Sequence, residues 1–210
     1  MKPSPFRVSQ EYLKQASKSL IIVDVQPAYE RNTPFDVGEM VEWASENYSR
    51  VLILWNGPSL GYVNKRGLIS FYFEKTAEYL GDWDAADDMV SDLVDSAKFF
   101  EKGYGFFRGM MDHCYLRKDI IKLVKYMLAN KVQDLRDLSE EQVEYLGIPG
   151  LIFEELEDYG FGIPEELASV LKKWNRSDIV GGVKNECLAE VEILGEAMGL
   201  SFNQKKRFIY

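Results

Sequence analysis

Between residues 19 and 58 the chain reads SLIIVDVQ, then DVGEMVEWASENY, then RVLILWNGP. The first and third segments are short apolar runs rich in β-branched residues, the pattern of strands covered on both faces. The middle segment carries Val37, Met40, Val41 and Ala44 at helical spacing. Strand, helix and strand with so little connecting chain form a βαβ unit, which commits the polypeptide to a parallel sheet. The expected fold is α/β: a three-layer α/β/α, Rossmann-like, doubly wound arrangement with a mostly parallel sheet.

The rest of the chain extends that frame. AKFFEKGYGFF (97–107) reads as a third strand ending at Lys102 and Gly103, SDIVGG as a fourth, and LSFNQKKRFIY as a last edge strand. Helices are expected near 70–80, over 117–129, and over NECLAEVEILGEAMG, which ends at Gly199. The acidic stretch 82–95, DWDAADDMVSDLVD, reads as a solvated face. From 131 to 173 the pattern changes. A capping box from Ser139 to Gln142 opens one short helix, PGLIFEELEDYG suggests a second, and a third begins with Pro164 in its first turn. This stretch is expected as a helical insertion in one domain spanning 1–210, since it is too short to hold a core of its own.

Charge and cysteine usage remove several function classes. The formal net charge is −9, so a wide nucleic-acid footprint is not expected. Two cysteines, Cys114 and Cys187, make no disulfide framework and point to a reducing, cytoplasmic setting. The first residues lack the apolar core of a signal peptide, and no run reaches membrane-spanning length. His113 is the sole histidine and no CxxC occurs, so neither metal nor other cofactor is expected. No GxGxxG or P-loop is present, and GYGFFRG lacks the strand-before, helix-after context such loops need.

In open parallel sheets, ligands sit beyond the carboxyl ends of the strands. Those ends deliver Asp24, Asn56, Lys102 and the loop before Cys187. An acid, a cation and a thiol at one edge form a catalytic-looking set, although each alone has an ordinary alternative. Asp24 could cap a turn, Lys102 could be a solvated strand end, and Cys187 could be core packing. Cys114 is read as structural, because its neighbour His113 would not face it on a helix.

Three separated segments, LIIVDVQPAY, FFEKGYGFF and IVGGVKNECLAEVEILGEAMGL, together resemble the isochorismatase-like cysteine hydrolases, the superfamily of nicotinamidases and related amidases. The resemblance covers the α/β core. It implies a catalytic acid at Asp24, a catalytic lysine at Lys102 and a nucleophile at Cys187. Backbone amides of the loop Gly182, Val183 and Cys187 would form an oxyanion hole, aided by a cis peptide. Asn185 would cap the helix that lowers the thiol pKa. Gln26, Asn56, Asn185 and Glu190 are candidate pocket residues. Zinc-binding members carry Asp-x-His after the second strand, where this chain has LWNGPS, so a metal is not implied. The implied activity is hydrolysis of a C–N bond in a small-molecule amide, and a homo-oligomer is compatible with the aromatics of 69–83. The alternative is an inactive protein of the same fold that binds or regulates.

Overall fold

A computed structural model describes residues 18–57, 63–102, 116–147, 162–163 and 165–210. Five strands form one parallel sheet: β1 (Ser19–Val23), β2 (Arg50–Trp55), β3 (Ala97–Glu101), β4 (Asp178–Gly181) and the short β5 (Asn203–Gln204). Their order is β3-β2-β1-β4-β5, with every pairing parallel. β1 lies at the centre, and its register sets Val23 against Leu54 on one side and Gly181 on the other. The strand ends that carry the candidate chemistry therefore meet at one edge.

Alternate residues of each strand face opposite layers. Leu20, Ile22, Val51, Ile53 and Val180 pack on α1 (Val37–Asn47), α2 (Lys65–Leu80) and α3 (Trp83–Ser96). Ile21, Val23, Leu52, Leu54 and Ile179 face a second layer built from α4 (Arg117–Asn130), α5 (Glu140–Leu146), α6 (Glu165–Leu171) and α7 (Cys187–Ala197). The result is the three-layer α/β/α architecture.

Several elements depart from the sequence expectation in instructive ways. α2 starts at Lys65 rather than near 70, because the Asn64 side chain accepts from Gly67 N–H and caps it. The acidic stretch is an amphipathic helix rather than a plain solvated face: α3 buries Ala86, Val90 and Leu93. The capping box at Ser139 and Gln142 forms as read and opens α5. Leu135, Leu138, Leu146, Ile163, Leu167 and Leu171, all from 131–173, belong to the same apolar cluster as Ile21 and Leu52. Glycine 199, at φ +75°, closes the turn after α7. Cys114, His113, Pro164, the segment 149–160 and the end of the expected third strand lie outside the described residues. No helix among the described residues is long and apolar enough to cross a membrane.

Candidate active site

Asp24 follows β1 directly, and Lys102 follows β3 directly. Backbone hydrogen bonds fix both positions: Asp24 N–H donates to Leu54 O at 2.9 Å and Lys102 N–H to Trp55 O at 3.0 Å. The sheet thereby continues one residue past each strand and aims both side chains at the same edge. Lys102 Nζ lies 2.9 Å from Asp24 Oδ2, with the two side chains 0% and 1% exposed. A charge pair so far from water persists only if each charge is matched. Burial works against the Lys102 ammonium, but the nearby Asp24 carboxylate, with Cys187 and Glu190 adding to it, holds its pKa above the ordinary lysine value.

The pair sits in a polar nest. Lys102 Nζ also reaches Asn56 Oδ1 at 3.4 Å. Asn56 donates through Nδ2 to the Tyr29 hydroxyl at 3.1 Å and through its backbone N–H to Gln26 Oε1 at 3.0 Å. Asn56 and Gln26, two of the candidate pocket residues, are both buried. Neither Asp24 oxygen receives a well-aligned hydrogen bond from the described residues, and the Lys102 contact is an ion pair.

Cys187 is the first residue of α7, brought to the site by the turn after β4. Gly181 and Gly182 make that turn at φ +76° and +61°. A Cβ on Gly181 would collide with the Val23 carbonyl oxygen, and one on Gly182 would sit 3.0 Å from Leu188 N. Only glycine fits both the conformation and the close approach. Cys187 is half-buried, and its thiol faces the Asp24 carboxylate, whose charge acts on it. Burial, then the Asp24 charge, push its pKa up to about 12, while Lys102 pulls the other way. The helix-start position was expected to favour a thiolate. Here desolvation and two carboxylates, Asp24 and Glu190, outweigh Lys102, and the resting form is the thiol.

Two further expectations are corrected. Asn185 is exposed, and Glu186 takes the cap position without a side-chain cap bond. The Val183 carbonyl does the capping work instead, accepting from Glu186 N–H at 2.9 Å and Leu188 N–H at 3.3 Å. The described peptide bonds are all trans, so the cis bond implied by the resemblance is not formed. Neither the Val183 nor the Cys187 amide donates a backbone hydrogen bond among the described residues, which leaves both available to a ligand oxygen.

Glu190, one turn along α7, is buried at 2% exposure and lies within electrostatic reach of Lys102 and Cys187. Three tyrosines were not foreseen. Tyr29 supports Asn56, Tyr72 OH donates to Val25 O at 2.9 Å, and Tyr210 OH donates to Asp24 O at 3.0 Å. These contacts join residues 27, 47 and 186 positions apart. No local spacing in the sequence encodes them.

No described group of three or more His, Cys, Asp and Glu residues has metal-holding geometry. A groove of about 650 Å³ runs between α2 and α3, lined by Lys65, Phe73 and Asp95 among others, away from Asp24 and Cys187. No family model matches the chain, and no curated protein matches it significantly.

Proposed function

We propose that the chain is a cysteine hydrolase of the isochorismatase-like kind, cleaving the C–N bond of a small amide. The observation that carries this reading is the thiol of Cys187 set against the Asp24 carboxylate, which is itself paired with a buried lysine. Sequence resemblance in three ordered segments supports it.

The chemistry follows from the protonation states. Cys187 Sγ attacks the amide carbonyl carbon as Asp24 takes the thiol proton, so a thiolate need not accumulate at rest. The carbonyl oxygen becomes an oxyanion, stabilised by the Val183 and Cys187 amides. Collapse breaks the C–N bond, and protonated Asp24 returns the proton to the leaving nitrogen. A thioester remains on Cys187. Water then attacks it, giving its proton to Asp24, and that proton returns to sulfur as the carboxylic acid departs. Lys102 pairs with Asp24 and positions it while the carboxylate is the acceptor. No step is routed through a metal.

Release of ammonia or amine from an amide panel tests the proposal, with Cys187→Ala as control. Turnover with parent protein and none with Cys187→Ala is expected. No turnover across the panel, with no acyl adduct on Cys187 by mass spectrometry, would contradict it. The raised thiol pKa favours one other reading, a binding or regulatory protein in which Cys187 is inert. In that case Cys187 would resist alkylation at every pH.

A further inference from the structure

Asp24 occupies the left-handed region at φ +50°, a conformation that few residues other than glycine adopt. Aspartate tolerates it better than most, yet the strained turn still needs an external hold. Its N–H is tied to Leu54 and its carbonyl to the Tyr210 hydroxyl, 186 positions away. Tyr210 is tied at two further points to the loop that delivers the nucleophile. Its N–H donates to Gly182 O, and its carbonyl accepts from Lys184 N–H, both at 3.2 Å. The ring is seated against Phe35 at 5.5 Å between centroids, and Phe35 also packs on buried Phe208.

One residue therefore spans the backbone of the acid and the backbone of the nucleophile loop. We propose that Tyr210 is a positioning residue that locks the Asp24 turn to the Gly182–Lys184 loop, fixing the distance between acid and thiol. The inference rests on the reading of Asp24 and Cys187 as a working pair. Burial pushes the Tyr210 phenol up, although its Thr33 hydrogen bond works the other way. The hydroxyl therefore remains a donor to the Asp24 carbonyl throughout the physiological range.

The test is the pH dependence of Cys187 alkylation by iodoacetamide in a Cys114→Ser background, which needs no substrate. Among the described residues, the charged and titratable groups facing the thiol are Asp24 after β1, Lys102 after β3, Glu190 on α7 and Tyr210. Tyr210→Phe removes the hydroxyl and keeps the ring and both backbone bonds. With Asp24 released from its turn, the thiol loses part of the carboxylate's opposition to ionising. Alkylation at pH 8 is then expected to rise roughly three- to tenfold, as the thiolate fraction grows. The same change in an Asp24→Asn background is expected to do nothing, because the effect acts through the carboxylate. A Tyr210→Phe profile that superimposes on the parent's overturns the proposal, as does an equal shift in both backgrounds. Failure of amide turnover, by contrast, would sink the hydrolase reading and leave these alkylation results standing.

Discussion

The sheet carries an acid–lysine pair at each of its two edges, and the two are built differently. At the carboxyl edge, Asp24 and Lys102 meet at 2.9 Å in a site closed to water, with neither carboxylate oxygen receiving a well-aligned donor among the described residues. At the opposite edge, Asp178 opens β4 and meets Lys205 at 3.1 Å, with 16% and 35% of the side chains exposed. Asp178 is well supplied with donors: Tyr48 OH at 2.6 Å to Oδ2 and Asn203 Nδ2 at 2.7 Å to Oδ1. Hydrogen bonds consume the basicity of Asp178 and stitch β4 to β5 and to the end of α1. Asp24 instead faces a thiol and a lysine. A satisfied acid secures a fold, whereas an under-satisfied buried acid beside a nucleophile is equipped to move a proton.

Lys102→Met is expected to show the largest contrast. It leaves Asp24 buried without its counter-charge, and urea denaturation is expected to register a loss of about 3–5 kcal/mol. Amide turnover should vanish with it. A loss no larger than that of an exposed pair would erase the distinction between the two edges.

Next in size is Asp24→Asn, which keeps the shape and removes the proton acceptor. Turnover of any amide found in the panel should fall by about 10²–10⁴. Asp178→Asn, assayed alongside, is expected to leave turnover unchanged and to lower stability by about 1–2 kcal/mol through weakened charge-assisted bonds. Equal kinetic losses in the two variants would mean that the carboxyl edge holds no special acid.

What could be read without the structure follows the same division. β1, β2 and β4 were legible because strands buried on both faces are continuous apolar runs, and each delivered its polar residue at the end. Asp24 could be placed at its strand end for that reason, whereas Lys102 follows the less buried β3 and Cys187 opens the helix after β4. The apolar stripe Ala86, Val90 and Leu93 of α3 was masked by the density of acids around it. That Leu135, Leu146 and Leu171 join the apolar cluster of Ile21 and Leu52 could not be read from the sequence, because that link is made only in three dimensions. Tyr210 and Tyr72 were invisible for the same reason, and the raised thiol pKa depends on burial that spacing does not report. Asn185 was misplaced because a backbone carbonyl, Val183, took the role that a capping side chain usually fills.

The acid limb of stability sharpens the comparison further. Burial tends to raise the Asp178 pKa, but the bonds from Tyr48, Asn203 and Lys205 hold it below the ordinary carboxylate value. Its folded pKa is thus lower than its unfolded one, near 3.9. The stabilisation it supplies is full above that unfolded value and is lost as pH falls through the folded pKa. Thermal melts between pH 5 and about pH 2 should therefore fall less steeply for Asp178→Asn than for the parent. Parallel slopes would remove Asp178 as a source of the acid lability. The smallest effect is expected from Lys205→Met, under about 1 kcal/mol by urea denaturation, since water already screens that pair.

The most direct measurement is the pH profile of Cys187 alkylation in the Cys114→Ser protein, compared with Asp24→Asn and Lys102→Met in the same background. Asp24 and Lys102 act on the thiol with opposite signs. Slow alkylation near neutrality is expected in the parent, with the rate still climbing above pH 9. The profile should move to lower pH in Asp24→Asn and to higher pH in Lys102→Met. A profile centred near the ordinary thiol value of about 8.5, and the same in all three proteins, would show that acid, lysine and cysteine do not form one unit.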